Sequence, residues 1–296
     1  MFSLGKFLGF TKTASPTVRL TAFGCTDIGR QRPNNEDAYN IADLSRPEAD
    51  LTNQVSAFEV ADAGSLLVVA DGIGGKAGGA VASRLAVRSM TESLCANSAQ
   101  TPEERLAEAA ATANQSLRDY AAQNLSVTGM GTTVTAALVK GDTAYIAQVG
   151  DSRAYLVRGD SIRQLTKDQT LAQYLSELTP DKPISAKLNN VLMQAVGLEP
   201  HLTATVSQIK LRQGDCLLLC SDGLTNKLDE MEIVQVLQEV HNVQVAARWL
   251  VAQANQRGGE DNITVVLARF EGNGLTPQSQ SWSTSSQTGW KLPAAA

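Results

Sequence analysis

The spacing of hydrophobic residues switches repeatedly between a helical and an extended period from about residue 17 to residue 270. Helical spacing is clearest where apolar side chains recur every four residues, at Ala82, Ala86, Met90 and Leu94. Four helices are predicted in two consecutive pairs, at 76–96, 102 to about 124, 229–241 and 243–256.

Capping residues support two of these helices. Thr101 is the predicted N-cap of the second helix, because Pro102 suits the first helical position and Glu104 completes a capping box. Asp229 is the predicted cap of the third helix. The starts of these helices are therefore marked independently of the hydrophobic spacing.

Strand signals fill most of the remaining sequence and come in pairs. Gly141-Asp142 and Gly159-Asp160 each separate two alternating runs, and such a dipeptide is typical of a β-hairpin. Strands are predicted at 132–139, 143–149, 153–158 and 161–165. Hairpins combined with paired helices favour an α+β fold of stacked layers over a doubly wound parallel sheet.

Composition divides the chain into three parts. Residues 17–271 carry the periodic pattern and are predicted to form one domain. Residues 272–296 are rich in Ser and Gln and are predicted to be a disordered tail or linker. Residues 1–16 lack a full signal-peptide core and are predicted to be a loose N-terminal segment.

Charge, aromatic content and hydrophobic run length argue against two classes of partner, nucleic acids and membranes. The chain has 25 basic and 30 acidic residues, a formal net charge of −5 and 5% aromatic residues. This balance predicts no binding to nucleic acid. No apolar run reaches the roughly 20 residues that a membrane-spanning helix needs, so no membrane insertion is predicted.

Cysteine and histidine usage narrows the compartment and the chemistry. No C-x-x-C pair occurs among the four cysteines, Cys25, Cys95, Cys216 and Cys220. We therefore expect a reducing, cytoplasmic location. The two histidines, His201 and His241, lie near no candidate motif, which disfavours a histidine-activated nucleophile or a histidine zinc site.

Two apolar runs end on Asp-Gly: LLVVADGIGG, with Asp71 and Gly72, and LLLCSDGL, with Asp222. One interpretation is a dinucleotide-binding loop, because Gly72, Gly74 and Ala77 fit G-x-G-x-x-A. The acid before the first glycine and the predicted hairpins count against it. A second is that both acids cap turns. The third is a bound cation, since an ionised carboxylate at the end of a buried strand needs a partner.

Four further acids stand at strand ends or in loops: Glu36 and Asp37 in RPNNEDAY, Asp151 in QVGDSRAY and Asp261 in GGEDNITVV. Each has a structural interpretation by itself. Asp37 and Asp261 would cap turns, and Asp151 would pair with Arg153. Together with the Asp-Gly acids they form an oxygen-only set, the type that Mg²⁺, Mn²⁺ or Ca²⁺ prefers and zinc does not.

Seven motifs follow one another in the order RPNNED, VADGIGG, GMGTT, VGDSRAY, LTKD, LLLCSDGL and DNITVV. With these motifs the chain resembles the bacterial form of the PPM family, the metal-dependent type 2C protein serine/threonine phosphatases, from about Thr21 to Phe270. The resemblance implies an α+β fold in which a β-sandwich of two antiparallel sheets is flanked by pairs of antiparallel helices. It also implies a dinuclear Mn²⁺ or Mg²⁺ site at one end of the sandwich, and it makes 17–271 the catalytic domain.

The resemblance implies ligands for two core ions. Asp71 would bridge both ions, and the carbonyl of Gly72 would also coordinate. Asp222 and Asp261 would hold the first ion, and Glu36 would hold the second.

Three further roles follow from the resemblance. Asp151 and Asp222 would form a weaker third metal site, Asp37 would orient a metal-bound water, and Arg32 would bind the substrate phosphate through its planar guanidinium. The water would attack phosphoserine or phosphothreonine directly, without a covalent intermediate. The expected partners are phosphorylated proteins, including a cognate serine/threonine kinase or its substrates, and a monomer is expected.

Two other functions compete with this interpretation. A pseudoenzyme would bind phosphoproteins without turnover, which the complete set of acids disfavours. A dinucleotide-dependent oxidoreductase would use the glycine loop. Departures from the family pattern lie around the expected substrate mouth or flap, at Ile73, Lys76, Ala80, Gln169, Thr170 and Asn189.

Overall fold

The computed structural model of the protein describes residues 16–46, 51–74, 78–96 and 100–278. The strands in these parts of the chain are β1 (Arg19–Asp27), β2 (Asp37–Asp43), β3 (Ser56–Glu59), β4 (Ser65–Ile73), β5 (Gly131–Thr132), β6 (Val134–Lys140), β7 (Thr143–Val149), β8 (Arg153–Arg158), β9 (Ser161–Gln164), β10 (Thr205–Lys210), β11 (Cys216–Cys220) and β12 (Ile263–Glu271). The α-helices are α1 (Gly78–Ala96), α2 (Pro102–Gln123), α3 (Leu171–Leu178), α4 (Asp222–Thr225), α5 (Glu230–Glu239) and α6 (Val243–Gln256).

The strands form two sheets. The first sheet has the order β3-β1-β12-β11-β8-β9, and the second has the order β10-β7-β6-β4-β2, with β5 paired to the end of β4. Every pairing between these strands is antiparallel. The predicted α+β architecture is therefore confirmed. The dinucleotide-binding alternative is wrong, because its loop belongs to a parallel βαβ unit.

The central strands are buried on both faces, which explains their continuous apolar sequences. Successive side chains of a strand point to opposite faces. Leu67 and Val69 of β4 accordingly pack between the two sheets, whereas Leu66 and Val68 pack against α1 and α2. β11 alternates in the same way between the space between the sheets and the α5–α6 layer. Each such Leu or Val contributes about 1.5–3 kcal/mol through burial.

The predicted helices and their caps are confirmed. α1, α2, α5 and α6 lie within the predicted ranges, apart from small shifts at their ends. Thr101 accepts a hydrogen bond from the backbone of Glu104, whose carboxylate accepts from the backbone of Thr101. Asp229 forms the same reciprocal box with Glu232. α3 and the single turn α4 were not predicted.

Both predicted hairpins are confirmed. Lys140 pairs with Thr143 across Gly141-Asp142, and Arg158 pairs with Ser161 across Gly159-Asp160. The first residue of each connection has a positive φ, 56° at Gly141 and 59° at Gly159, which only glycine adopts without strain. Glycine at these two positions therefore sets the hairpin register.

The ends of the domain are only partly within the described residues. The N-terminal segment predicted for 1–16 falls outside them except for residue 16, and so does the predicted tail beyond residue 278. Between them, Leu275 is buried and Thr276 bridges Arg212, so the chain packs against the domain for several residues after β12. Among the described helices, none combines the length and apolar character that crossing a bilayer requires.

Candidate metal centre

The fold gathers the predicted site residues at one end of the sandwich. Asp71 lies near the end of β4, and Asp37 begins β2 beside it. Asp222 follows the end of β11, and Asp261 precedes the start of the neighbouring β12. Asp151 lies in the turn from β7 to β8, where the chain passes from the second sheet to the first. Acids from both sheets therefore face a common region.

In the second sheet, Asp37 and Asp71 stand directly opposite each other on β2 and β4. The interpretation of Asp71-Gly72 as a turn is wrong, because both residues lie inside β4, which continues to Ile73 and pairs there with β5. The backbone N–H of Gly72 donates to the carbonyl of Glu36 at 3.1 Å. This bond holds the predicted ligand Glu36 beside the Asp71 strand.

Two glycines allow this close approach. A Cβ at Gly72 would collide with the carbonyl of Gly79, at the start of α1, and would lie 2.6 Å from the carbonyl oxygen of Glu36. A Cβ at Gly79 would lie 2.8 Å from the carboxyl carbon of Glu36. The glycine-rich sequence therefore lets the backbones of β4, α1 and the Glu36 loop pack closely together. This close packing agrees with the predicted coordination of an ion by the carbonyl of Gly72.

In the first sheet, Asp222 is the first residue of the single-turn helix α4. This Asp-Gly pair therefore lies in a turn that follows β11, as the turn interpretation predicted. One carboxyl oxygen of Asp222 accepts from Asn226 Nδ2 at 3.1 Å. A Cβ at Gly223 would collide with the backbone carbonyl of Asn262, so glycine is again required for close packing. Asp261 accepts from the N–H of Asn262 at 2.8 Å, as the predicted turn cap would.

The turn that carries Asp151 is linked to the Asp71 strand through the hydroxyl group of the next residue, Ser152. Thr133 Oγ1 accepts from the N–H of Asp71 at 2.9 Å and lies 2.7 Å from Ser152 Oγ. The predicted alternative, an ion pair between Asp151 and Arg153, does not form. Arg153 instead donates to Asp168, with Nη2 and Oδ2 2.6 Å apart.

Arg32 lies in the loop between β1 and β2 and contacts the same region. Its Nη2 donates to Oδ2 of Asp261 at 2.7 Å, with 49% of the Arg32 side chain exposed. Half of this side chain is therefore open to solvent at the site, where a phosphate would find a hydrogen-bond donor.

The electrostatics of the site favour a bound cation. Burial, and then the neighbouring Asp37, raises the pKa of Asp71 well above its usual value. Burial also raises the pKa of Asp37 to about 7, against two hydrogen bonds that lower it. The pKa of Asp151 rises to about 7 through burial and then Asp222, and that of Asp222 rises through burial and then Asp261. These carboxylates repel one another across a shared space.

The residues fit an ion that prefers oxygen ligands. Among the described residues, no three acidic, histidine or cysteine side chains are gathered tightly enough to enclose an ion as they stand. Arg32 instead holds Asp261, and the Glu36 carboxyl group lies against Gly79. However, Oδ1 of Asp37 and Oδ1 of Asp222 are both buried without a hydrogen-bond partner. Two unsatisfied buried carboxylate oxygens within an all-oxygen set match Mn²⁺ or Mg²⁺ chemistry.

A polar cleft of about 280 Å³ opens beside these acids. Asp151 and Asp222 lie on its wall together with the Arg153–Asp168 pair, and the segment 170–190 contributes Asn189 and Asn190. The cleft therefore connects the predicted third metal site with Thr170 and Asn189, two of the positions expected around the substrate mouth or flap.

Three contributors to the site were missed in the sequence. Ser221 and Thr264 donate hydrogen bonds to Asp37, each at 2.7 Å. Asn262 accepts from the N–H of Glu36 at 2.8 Å and donates to the carbonyl of Ile28 at 2.8 Å, which fastens the Arg32 loop to the start of β12. All three lie inside the motifs LLLCSDGL and DNITVV, which marks the region of the site but does not indicate their hydrogen-bond partners.

Several known serine/threonine phosphatases are similar to this chain in sequence and fold. The sequence profile of the family described as protein phosphatase 2C matches residues 47–255. The serine/threonine phosphatase stp of Listeria innocua is 35% identical over 249 residues, which cover 82% of this chain and 92% of that protein.

The crystal structure of the Mycobacterium tuberculosis serine/threonine phosphatase PstP/Ppp superposes with a TM-score of 0.72 at 30% identity, covering 86% of this chain and 99% of that chain. The PstP catalytic domain in complex with two manganese ions gives a TM-score of 0.71 at 30% identity, covering 86% and 100%. The chain belongs to the protein phosphatase 2C family.

Proposed function

We propose that this protein is a metal-dependent phosphatase that removes phosphate from phosphoserine and phosphothreonine residues of other proteins. The observation that carries the proposal is the convergence of Asp37 and Asp71 from one sheet with Asp222 and Asp261 from the other. Family membership supports the same reaction.

The proposed ligands of two Mn²⁺ or Mg²⁺ ions are Glu36, Asp71, Gly72, Asp222 and Asp261, with Asp151 and Asp222 at a weaker third site. When bound, the two core ions lower the pKa of a shared water and neutralise charge on the phosphoryl oxygens. The four core carboxylates carry four negative charges when ionised, which balance two divalent cations. Burial and neighbouring acids raise the pKa of Asp71 and of Asp222, and a nearby cation would lower both again by favouring the ionised forms.

Arg32 and Asp37 have complementary roles in the proposed reaction. Arg32 binds the phosphate of the substrate with the exposed side of its guanidinium, and its contact with Asp261 keeps it at the site. Asp37 accepts a hydrogen bond from the attacking water, which orients a lone pair of that water toward phosphorus. In-line attack would form the new P–O bond as the bond to the seryl or threonyl oxygen breaks, and that oxygen would gain the proton that the water loses. The products would be the free hydroxyl side chain and inorganic phosphate, without a covalent enzyme intermediate.

The cleft beside the metal centre suits a peptide substrate. Its lining includes the carboxamides of Gln173, Asn189, Asn190 and Asn226. A carboxamide both donates and accepts hydrogen bonds, as a peptide main chain does, so these groups match an extended phosphopeptide of varied sequence. This chemistry favours phosphoproteins over small phosphate esters as the physiological substrates.

The cellular setting is part of the proposal. All four cysteines are unpaired, and Cys216 and Cys220 are buried in β11, which agrees with a reducing cytoplasm. The proposed partners are phosphorylated proteins, among them a cognate serine/threonine kinase or its substrates, and the proposed active form is a monomer.

The test is Mn²⁺-dependent hydrolysis of p-nitrophenyl phosphate and of a phosphothreonine peptide. Asp71→Ala and Asp222→Ala should each lower the rate on the order of 100-fold or more, because each removes a core ligand. Asp119→Ala, on the exposed face of α2, is the matched control and should retain full activity. Circular dichroism should show that all variants are folded. A folded wild-type protein that binds phosphopeptide without Mn²⁺-dependent turnover would favour the pseudoenzyme instead.

A further inference from the structure

Two hydroxyl groups hold the same oxygen of Asp37. Ser221 Oγ and Thr264 Oγ1 each donate to Oδ2 at 2.7 Å, and both side chains are fully buried. The other oxygen, Oδ1, is buried without a partner. We propose that Ser221 and Thr264 are positioning residues of the phosphatase reaction, which fix Asp37 through Oδ2 and keep Oδ1 as the one acceptor for the reacting water. This inference rests on the proposed function.

When Asp37 is ionised its oxygens only accept hydrogen bonds, and the directions in this group then follow from counting hydrogens. Ser221 Oγ accepts the N–H of Thr264 at 2.9 Å, so its own hydrogen is available to Asp37. Thr264 Oγ1 lies 2.7 Å from Thr26 Oγ1. A hydroxyl has a single hydrogen, and that of Thr264 is used on Asp37, so Thr26 is the donor in this pair. Thr26 in turn accepts from Asn35 Nδ2 at 2.9 Å. Every hydrogen in this series of bonds points toward Oδ2.

Ser221 and Thr264, here called the hydroxyl clamp, join the two sheets at the site. Asp37 belongs to β2 in the second sheet, whereas Thr264 belongs to β12 and Ser221 follows β11 in the first. Ser221 directly precedes Asp222. The clamp therefore fixes Asp37 relative to the strand ends that carry the ligands of the first sheet.

The clamp restricts rotation of the Asp37 carboxyl group. Without the two hydroxyl groups, nothing distinguishes Oδ1 from Oδ2. The carboxyl group can then rotate, and neither oxygen is held in place for the reacting water. Misplacement of a reacting group by about 1 Å can cost on the order of 100-fold in rate. Substrate binding by Arg32 does not depend on Asp37, so loss of the clamp should act on kcat and leave KM nearly unchanged.

Thr264→Val tests the clamp, because valine keeps the shape of threonine and removes the hydroxyl. At saturating Mn²⁺, kcat for p-nitrophenyl phosphate should fall roughly 10-fold or more, with KM within about 2-fold. Thr264→Ser restores the hydroxyl and should recover most of kcat. Ser65→Ala is the matched control, since it removes a buried hydroxyl that has no partner, at the opposite end of β4. It should leave kcat unchanged.

The outcomes separate this inference from the proposed function. If the wild-type protein is active and the Thr264→Val and Thr264→Ser variants turn over equally fast, the clamp alone is overturned. A wild-type protein without Mn²⁺-dependent turnover would overturn the proposed function and the clamp with it. If thermal unfolding shows that Thr264→Val is unfolded, Ser221→Ala decides the question by the same kcat and KM criteria.

Discussion

Asp37 and Asp71 face each other across neighbouring antiparallel strands, as a directly opposed pair of acids at one end of the second sheet. Like charges in this position destabilise a sheet, and burial adds the cost of removing them from water. In the described structure, the hydroxyl clamp compensates only one oxygen of Asp37. The pair therefore favours either protonation or a cation, and each option has a measurable consequence.

Manganese should stabilise the fold. Binding to the native state alone contributes about 2.7 kcal/mol when free Mn²⁺ exceeds its Kd 100-fold, or roughly 5–10 °C in Tm for a domain of this size. Differential scanning calorimetry over a Mn²⁺ series should show this rise, and EDTA should reverse it. Asp71→Asn should reduce the shift. A Tm that is independent of Mn²⁺ would contradict the proposed metal centre.

In EDTA, stability should fall as the pH rises from about 4 to 7. Burial raises the pKa of Asp37 and of Asp151 to about 7, whereas both lie near 3.9 in the unfolded chain. Between these values the native state binds more protons than the unfolded state, so the free energy of unfolding decreases by up to about 1.4 kcal/mol per pH unit and group. Urea unfolding at pH 5 and pH 7.5 measures the difference. Greater stability at pH 7.5 than at pH 5 in EDTA would refute the expectation.

Two adjacent glycines at the start of α1 should respond differently to alanine. At Gly78 the new Cβ would lie 3.4 Å from Met130 Cβ, which is an ordinary contact, so Gly78→Ala should keep activity within about 2-fold. At Gly79 it would lie 2.8 Å from the Glu36 carboxyl carbon and 2.9 Å from the Gly72 carbonyl carbon. Gly79→Ala should therefore weaken Mn²⁺ affinity by about tenfold. Isothermal titration measures this, and equal affinities would exclude the proposed close packing around Glu36.

Arg32 should act on phosphate binding. At saturating Mn²⁺, Arg32→Ala should raise KM for p-nitrophenyl phosphate about tenfold and weaken inhibition by inorganic phosphate by a similar factor. Arg32→Lys should recover only part of the loss, because an ammonium group cannot form two parallel hydrogen bonds. Arg88→Ala on the exposed face of α1 is the control. An unchanged KM in Arg32→Ala would show that Arg32 only pairs with Asp261 and does not bind phosphate.

Local patterns in the sequence were sufficient for the helices α1, α2, α5 and α6 and for the two hairpins, but not for the short helices α3 and α4. The capping boxes at Thr101 and Asp229, and the glycines at 141 and 159, act within a few residues of themselves. Their effects therefore follow from short stretches of chain. Asp71 and Asp222 were singled out by position, since a carboxylate at the end of a buried apolar run needs compensation. The predicted roles of the other site acids came from the family resemblance.

Contacts between distant segments were beyond such patterns. Ser221 and Thr264 reach Asp37 across 184 and 227 residues of chain, and a serine or threonine beside a motif gives no sign of that partner. The strand character of Asp71-Gly72 was missed for the same reason. It depends on the pairing of Asp71 with Asp37 and of Gly72 with Thr132, which no local signal in the glycine-rich sequence indicates.

The place of β12 in the first sheet has a consequence for biosynthesis. β12 lies between β1 and β11, and it pairs with β1 along the full length of both strands, from Arg19–Glu271 to Asp27–Ile263. A ribosome must therefore release almost the whole domain before its first strand finds its inner neighbour. Nascent chains would leave β1 without that partner and the acids of the two sheets unassembled. Dephosphorylating capacity should thus emerge only after β12 has left the ribosome, and chains that stop before β12 should lack it.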